Sequence, residues 1–500
     1  VPTSLLFGVT THITTDLAAV PLLWVVPLAL YLLSFIVAFA RPPALRHAWM
    51  VAVQPFLIIA VTLTGQEDWP AWLLGLHLLA FFATAIVCHG ELAQRRPGAR
   101  HLTEFYLLIS LGGVLGGMFN GLVAPVIFTF AYEYSIALVA ACLLRPATAV
   151  SPSGQRLLDV LLLALLAAFL FAFPLVDPII SQHLSDGASK FLFIVIVATF
   201  LLAGCASRPV RFGLGVAVLL SLSPYRVDSQ AVLHAERSFF GIYRVEMSSD
   251  ESAVELHHGT TLHGAQFVEP ERWREPLTYY HRVGPFGEFF AAHPAHGGEH
   301  IAVAGLGTGA LACYALPGQT WTFYEIDPTV VRLARDTRYF HYLSECGASA
   351  QVVLGDARLS LKAAPDANFD VLVLDAFSSD AIPVHLLTRE AVQLYLRKVA
   401  ADGVVIFHVT NRHLDLASLL GQLAVQDGLA ARYRGFWPYK NAGAETEWAY
   451  PVALVAIARR NQALAFLDNV DGWQPLAARA DLPVWTDEHS NILSVLRWRD

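Results

Sequence analysis

The sequence predicts a chain of two unlike parts, an α-helical multi-pass membrane domain followed by an α/β domain. Three observations indicate this division. Nearly all of the long uncharged apolar runs lie in residues 1–224. In residues 225–295, the alternating polar and apolar side chains of Ala231–Met247 and Ala253–Val268 predict strands of a small β subdomain. In residues 296–500, strand-like and helix-like segments alternate, which is typical of a mostly parallel sheet covered by helices. The first three predicted strands of this region are His300–Ala304, Thr320–Glu325 and Gln351–Leu354.

The composition agrees with a membrane protein and argues against nucleic acid as a partner. Charged residues make up 15% of the 500 residues, whereas a soluble domain carries about 25%. The net charge is −8, and no basic stripe is present to bind phosphates. No cysteine belongs to a Cys-x-x-Cys pair, so we expect free buried thiols, with neither a disulfide framework nor a metal site. The cysteines are Cys88, Cys142, Cys205, Cys313 and Cys346.

Seven apolar runs approach the length of about 20 residues that a helix needs to cross a bilayer. They are Leu17–Ala40, Trp49–Thr64, Trp69–Cys88, Phe105–Val123, Pro125–Leu144, Leu157–Pro174 and Phe191–Ala206. An eighth run, Phe212–Ser223, is short and is more typical of an interfacial segment, so we expect seven or eight helices. Arginines follow the odd-numbered runs, which places those ends in the cytoplasm of a bacterial inner-membrane protein.

A glycine-rich turn follows the first strand of the α/β region. The segment Val303-Ala-Gly305-Leu-Gly307-Thr-Gly309 lets the backbone turn tightly and approach a ligand closely. Glu325 ends the next strand, where a carboxylate can accept hydrogen bonds from ribose hydroxyls. A tight connection and a solvated acid are the alternatives. Together, the two features favour a nucleoside site.

Two further strands also end beside acidic residues. Asp356 follows one of them, in Leu354-Gly355-Asp356-Ala357, and could accept a hydrogen bond from an adenine amino group. Asp375 follows the other, with Asp380 in the loop after it. Ligands of open α/β sheets bind outside the carboxyl ends of the strands. Four strands that end in glycine or acid at one edge therefore indicate a binding site.

In this order the motifs resemble those of the spermidine synthase family of aminopropyltransferases, over roughly residues 230–460. The matching segments are Gly305–Gly309, Glu325-Ile-Asp327-Pro, Gly355-Asp356-Ala357, Asp375 with Asp380, Leu256–Gln266 and Pro276–His281. The whole chain resembles the group in which a multi-helix membrane region precedes such a domain. The resemblance implies a Rossmann-like fold of the methyltransferase and spermidine synthase type.

The resemblance also implies a donor, decarboxylated S-adenosylmethionine, and no metal. Glu325 would hold the ribose of this donor, and Gln266 would contact the nucleoside. Asp356 and Ala357 would bind the adenine. The remaining donor-site residues implied by the motifs are Gly305, Gly307, Gly309 and Asp327.

On the acceptor side, Asp375 matches the family's catalytic aspartate, which takes a proton from the attacking amine. Tyr280, His281 and Asp380 would contact that amine, and methylthioadenosine would leave. Three departures put a diamine acceptor in doubt. Thr308 replaces an aspartate that helps to bind the diamine, Arg282 replaces a glutamate, and the spacing from Asp375 to Asp380 is longer than usual.

Two alternatives stay open. A methyltransferase that uses S-adenosylmethionine itself would employ the same sheet edge, and Arg282 could meet the carboxylate that its substrate retains. A transporter or sensor would bind nucleoside or polyamine without chemistry. The expected partners are a lipid bilayer and a small-molecule amine, and a homodimer stays open. Because S-adenosyl nucleosides are made in the cytoplasm, we expect the catalytic domain there.

Overall fold

The computed structural model contains two compact units. One comprises residues 1–17 and 21–229, and the other comprises residues 18–20 and 230–500. The described residues are 1–16, 24–40, 46–63, 71–147, 161, 164, 168, 206–222, 232–259, 261–347, 350–377, 383–411, 414–438 and 446–497. The predicted boundary between residues 224 and 225 lies outside these ranges and stays a prediction.

The first unit consists of helices that pack through apolar side chains. Its α-helices are Pro2–Asp16, Val25–Phe39, His47–Leu63, Ala71–Gln94, Leu102–Met118, Ala124–Ile127, Tyr132–Leu143 and Pro209–Leu222. The buried core includes Leu5, Ile58, Phe81, Leu138 and Phe212. The first helix, Pro2–Asp16, was not predicted, because its second half is rich in polar residues.

Two helices among the described residues, Trp72–Gln94 and Ala99–Ile127, are long and apolar enough to cross a membrane. The others in this unit are shorter, and the predicted runs Leu157–Pro174 and Phe191–Ala206 lie almost wholly outside the described ranges. Seven or eight crossings are therefore not confirmed. The predicted runs Phe105–Val123 and Pro125–Leu144 imply a helix break near Ala124, and this break is wrong. Pro125 has no N–H to donate, and a π-helical turn at Phe119–Val123 lets the helix continue past it to Ile127.

The second unit begins with a four-stranded antiparallel sheet in the order β1-β2-β3-β4. Its strands are β1 (Val232–Arg237), β2 (Ile242–Met247), β3 (Ala253–His258) and β4 (Thr261–Phe267). The sequence predicted one strand in each of two stretches, and each stretch forms a hairpin instead. Val245 and Leu256 of this sheet belong to the same apolar core as Phe289 and Val303, so the sheet packs on the α/β fold.

The α/β fold has eight strands in the order β12-β10-β11-β9-β8-β5-β6-β7. They are β5 (His300–Ala304), β6 (Thr320–Glu325), β7 (Gln351–Leu354), β8 (Phe369–Leu374), β9 (Val399–His408), β10 (Ala430–Phe436), β11 (Val452–Ala458) and β12 (Gln474–Pro475). The five strands β5 to β9 pair in parallel. The other three form antiparallel pairs: β11 with β9, β10 with β11, and β12 with β10. The sheet is thus mixed, although the predicted parallel core is present.

Helices cover both faces of this sheet. The α-helices are Pro285–Ala292, Pro328–Arg335, Tyr342–Glu345, Ala357–Ala363, Arg389–Lys398 and Leu416–Gln426. Because side chains alternate along a strand, Ile301 and Val303 belong to one apolar core, and Ala302 and Ala304 belong to the other. The chain proceeds from β5 outward to β7 and then returns to β8. This reversal makes the β5–β8 edge a topological switch point, where ligands of such sheets bind.

Cys313 and Cys346 form a disulfide, with their Cα atoms 4.8 Å apart. The prediction of free thiols is wrong for this pair, because the fold brings together residues that lie 33 positions apart in the sequence. The bridge connects the 3-10 helix Ala310–Tyr314, which follows the glycine-rich turn, to the end of the helix Tyr342–Glu345. Cys88 and Cys142 are free, as predicted.

Candidate functional site

Gly305 and Asp375 lie side by side at the carboxyl edge of the sheet. The backbone N–H of Asp375 donates to the carbonyl of Ala304, at 2.8 Å. Gly305 has a φ of +102°, and a Cβ atom there would overlap the backbone carbonyl of Asp375. Glycine is therefore required where the turn passes the end of β8.

The Asp375 carboxylate is held by two side chains. The Tyr280 hydroxyl donates to Oδ2 at 2.7 Å, and His408 Nδ1 lies 2.6 Å from Oδ1. Burial, reinforced by the nearby Asp375, raises the pKa of Tyr280 well above its ordinary value, so the hydroxyl keeps its proton and acts as a donor. Each carboxylate oxygen retains a further lone pair. Asp375 can therefore accept a proton from a ligand while its orientation is fixed.

The sequence predicted a strand around His408 but did not identify His408 as a functional residue. Leu374 of β8 pairs with Phe407 of β9, so the next residue on each strand, Asp375 and His408, are neighbours. Thr410 Oγ1 lies 2.7 Å from His408 Nε2 and accepts the N–H of Ala453 at 2.8 Å. A histidine that ends a buried apolar strand beside an acid-ended strand is the signal that could have identified it.

Glu325 links the glycine-rich turn to the end of β6. Its Oε2 accepts the N–H of Leu306 at 3.0 Å, and its Oε1 accepts the N–H of Asp327 at 2.9 Å. Burial raises the pKa of Glu325, and the backbone donors of Asp327 and Leu306 oppose that rise. Its side chain is only slightly exposed, and each oxygen keeps a free lone pair. The carboxylate is thus able to accept ribose hydroxyls.

Asp327 is buried and caps the helix Pro328–Arg335. One carboxylate oxygen accepts the N–H of Thr329 at 2.8 Å, and the other accepts the hydroxyl of Ser238. These two bonds give Asp327 a local structural role. Its predicted contact with the donor stays a prediction.

Asp356 and Ala357 lie beyond the end of β7, next to Glu325. The N–H of Gly355 donates to the Glu325 carbonyl at 2.8 Å, which fixes the two strand ends together. Asp356 Oδ1 caps the following helix by accepting the N–H of Leu359 at 2.8 Å. Its Oδ2 lies 3.5 Å from His385 Nε2, and the side chain is partly exposed, so this oxygen keeps a lone pair for a ligand.

Gln266, at the end of β4, is buried and bonded at both ends of its amide. Oε1 accepts the N–H of His341 at 2.6 Å, and Nε2 donates to the carbonyl of Trp273 at 2.8 Å. The rings of Trp273 and His341 stack at 3.5 Å between centroids. Gln266 therefore fixes this stacked pair, and its predicted contact with a nucleoside stays untested.

The acceptor side is described only in part, because Asp380 lies outside the described residues. His281 is adjacent to Tyr280, its Nδ1 accepts the N–H of Val283 at 3.3 Å, and burial lowers its pKa. Arg282 donates to the carbonyl of Cys313 at 3.2 Å, and its guanidinium lies 5.3 Å from the Tyr314 ring. The cation at this position is thus engaged by the 3-10 helix after the glycine-rich turn.

Two buried polar atoms beside the glycine-rich turn lack a hydrogen-bond partner among the residues that the structure describes. They are Thr308 Oγ1 and His263 Nε2. Gly264 packs directly against Thr308, and the Gly307 backbone approaches the carbonyl of His263. Burial, followed by the electrostatic effect of the neighbouring His258, His257 and His408, lowers the pKa of His263 to about 3. His263 is therefore neutral at physiological pH.

The structure thus brings together Gly305, Glu325, Asp375 and Tyr280 at the switch point, and places Asp356 at the adjoining strand end. In the described part of the chain, no three His, Cys, Asp or Glu residues are grouped so that they could hold a metal ion. The arrangement offers a proton acceptor, Asp375, beside glycines and acids suited to a nucleoside.

Comparison with known proteins supports the resemblance in the motifs. No family model matches the sequence. The chain is 27% identical, over 192 residues, to the polyamine aminopropyltransferase of Vibrio vulnificus strain CMCP6. The match covers 37% of this chain and 61% of that protein, so less than two-thirds of the relative's length is spanned. The predicted similarity to aminopropyltransferases of the spermidine synthase type is confirmed, whereas the fusion to a membrane region is not.

Solved structures described as spermidine synthases are also similar to this chain. A probable spermidine synthase from Corynebacterium glutamicum ATCC 13032 has a TM-score of 0.37 and 15% identity, over 50% of this chain and 96% of that one. The spermidine synthase of Thermotoga maritima has a TM-score of 0.34 and 14% identity, over 50% of this chain and 81% of that one.

Proposed function

We propose that this chain is an integral-membrane aminopropyltransferase-like enzyme. It transfers an aminopropyl group from decarboxylated S-adenosylmethionine to an amine acceptor and releases methylthioadenosine. The observation that carries the proposal is the position of Asp375 at the switch point, beside the Gly305 turn and with its carboxylate oriented by Tyr280. The sequence match to a polyamine aminopropyltransferase supports the same reaction class.

The reaction is a displacement at carbon. Asp375 accepts a proton from the ammonium form of the acceptor, which frees the nitrogen lone pair. That lone pair forms a bond to the aminopropyl carbon attached to the sulfonium, and the electrons of the breaking carbon–sulfur bond pass to sulfur. Methylthioadenosine therefore leaves as a neutral thioether, the new secondary amine stays protonated as an ammonium ion, and Asp375 releases to solvent the proton that it took.

Donor binding follows from the neighbouring strand ends. Glu325 would accept the ribose hydroxyls, and Asp356 would accept from the adenine amino group. The Gly305–Gly309 turn lets the backbone approach the nucleoside. We assign Gln266 and the stacked Trp273–His341 pair to the wall of this pocket.

Product analysis with purified full-length protein tests the proposal. The wild type, given decarboxylated S-adenosylmethionine and a panel of mono- and diamines, should release methylthioadenosine. Asp375→Asn should lower that release by about 10²–10⁴-fold while nucleoside binding survives, because a general base contributes this much. Undiminished turnover by Asp375→Asn would refute the assignment.

One observation favours methyl transfer as a second candidate. Thr308 stands where the resemblance implies an aspartate, and its buried hydroxyl has no partner among the described residues. The acceptor side therefore lacks one acid for an ammonium group. The same assay, run with S-adenosylmethionine, separates the candidates, because methyl transfer yields S-adenosylhomocysteine.

We also propose that residues 1–224 anchor the enzyme in a bilayer, with the catalytic domain in the cytoplasm. The helix Ala99–Ile127 supports anchoring, because only 6% of its most apolar 18-residue stretch is buried by the rest of the protein. Its apolar side chains, such as Leu107 and Val126, are exposed. The protein should stay in the membrane fraction after extraction with alkaline carbonate. Release into the supernatant would contradict anchoring, and a C-terminal reporter that scored periplasmic would contradict the cytoplasmic assignment.

A further inference from the structure

The residue behind Asp375 is a histidine with two polar partners. His408 Nδ1 lies 2.6 Å from Asp375 Oδ1, and both side chains are almost fully buried. On the other side of the ring, Nε2 lies 2.7 Å from Thr410 Oγ1, which also accepts the N–H of Ala453. A continuous hydrogen-bonded path therefore runs from Asp375 through His408 to Thr410.

Thr410 can satisfy either protonation state of His408. When the ring is neutral with its proton on Nδ1, the Thr410 hydroxyl donates to Nε2. When both ring nitrogens carry protons, Nε2 donates instead, because the hydroxyl oxygen has one lone pair for Ala453 N–H and another for the ring. His408 can thus gain a proton without leaving a buried polar atom unpaired.

The other titratable groups near this path have fixed roles. Tyr280 keeps its proton, because burial and Asp375 raise its pKa, and His263 stays neutral, because burial lowers its pKa to about 3. The Tyr279 ring lies 5.4 Å from His408. Phe286 and Phe377 provide apolar rings at 5.9 and 4.8 Å. These groups surround His408 in the described part of the chain.

We propose that His408 is a positioning residue that acts through Asp375, because its Nδ1–H orients the carboxylate that takes the proton from the acceptor amine. The inference rests on the proposed transfer reaction. Nδ1 already carries a proton, so the amine proton stays on Asp375 until it is released to solvent. A second proton can enter the ring only at Nε2, and the resulting imidazolium makes Asp375 a weaker base. No bond to the donor or acceptor is made by His408 itself.

His408→Leu and His408→Asn test the proposal, because leucine removes the donor to Asp375, whereas the asparagine amide can donate to Oδ1 from near the position of Nδ1 but does not titrate. We expect the thermal midpoints and nucleoside affinities of both variants to stay near those of the wild type. The kcat of His408→Leu should fall at least tenfold with little change in the acceptor KM. His408→Asn should regain most of that kcat, and the acid limb of its pH–rate profile should differ in shape from that of the wild type.

A matched control uses the same substitution at another buried histidine–carboxylate pair. His293 Nε2 lies 2.9 Å from Glu299, just before the amino end of β5 and so at the edge opposite Asp375. His293→Asn should keep the wild-type kcat and pH profile. Thr410→Val, which removes the hydroxyl that serves both states of the ring, should change the acid limb in the same way as His408→Asn.

The outcomes separate the two hypotheses. If the wild type transfers an aminopropyl group and His408→Leu has an unaltered pH profile and a kcat within about twofold, the positioning role is wrong and the proposed function stands. If the folded wild type yields no methylthioadenosine with any amine tested, the transfer reaction fails and this inference fails with it.

Discussion

The backbone of Gly305 passes so close to the carbonyl of Asp375 that a side chain at position 305 would overlap it. The glycine-rich turn and the proposed base are therefore in direct contact, and a change in one displaces the other. This contact gives the first prediction.

Gly305→Ala should be more destabilising than an alanine at another glycine of similar conformation. Gly298 is the control, because its φ of +88° matches the left-handed region but nothing lies within 4 Å of its added Cβ. We expect about 1–2 kcal/mol of backbone strain for Gly298→Ala. Gly305→Ala should cost about 1–3 kcal/mol more and should abolish transfer. Equal thermal midpoints for the two variants would show that the close packing is absent.

Tyr280→Phe should slow the reaction without unfolding the protein. The lost hydroxyl donates to Asp375 Oδ2 at 2.7 Å, and a hydrogen bond to a charged group is worth about 1.5–3 kcal/mol. We expect kcat/KM to fall by about 10- to 100-fold. Tyr395→Phe is the control, because that buried hydroxyl lacks a partner among the described residues. If kcat/KM fell as much in Tyr395→Phe as in Tyr280→Phe, the hydrogen bond from Tyr280 to Asp375 would not explain the slower reaction.

Acidification should destabilise the protein through His263. The pKa of this ring is about 3 in the folded state and about 6.5 when unfolded, so the unfolded chain binds the extra proton first. The stability from neutral His263 is complete above pH 6.5 and is lost as the pH falls towards 3, by at most about 1.4 kcal/mol per pH unit.

The dependence of the unfolding midpoint on pH, measured in detergent between pH 7 and pH 5, checks this. His263→Leu should give a flatter curve than the wild type, whereas His489→Leu, at an exposed position, should not. A curve for His263→Leu as steep as that of the wild type would assign the acid sensitivity to other groups.

The Cys313–Cys346 disulfide gives a prediction about the reactivity of the two cysteines. In purified protein without reductant, an alkylating reagent should modify neither cysteine, and reductant should make both reactive. Replacing both by alanine should lower the free energy of unfolding by about 2–4 kcal/mol. Full alkylation without reductant would contradict the bridge.

The sequence predicted the strands that build the site better than it predicted their neighbours. His300–Ala304, Thr320–Glu325 and Gln351–Leu354 have the predicted bounds, because each is a short apolar strand followed by glycine or acid. The hairpin turn before Gly241 was missed because Phe239 and Phe240 there carry no turn signature. The outcome for Asp380 stays open, since it lies outside the described residues.

Long-range pairings could not be predicted in this way. His408 reaches Asp375 only because β9 pairs with β8 in a particular register, and no local pattern encodes that register. The same holds for Cys313 and Cys346, which meet because the 3-10 helix after the glycine-rich turn packs against the helix that starts at Tyr342. Local patterns predicted the strand ends, whereas tertiary packing determined their partners.

Calorimetric titration of the full-length protein with methylthioadenosine tests the central claim most directly, because it separates nucleoside binding from proton transfer. We expect wild type and Asp375→Asn to bind alike, and Glu325→Gln to bind at least tenfold more weakly, since an amide replaces an acceptor for the ribose. Absence of binding by the wild type, or an equal loss of affinity in Asp375→Asn and Glu325→Gln, would contradict a nucleoside pocket at this sheet edge with Asp375 reserved for the incoming amine.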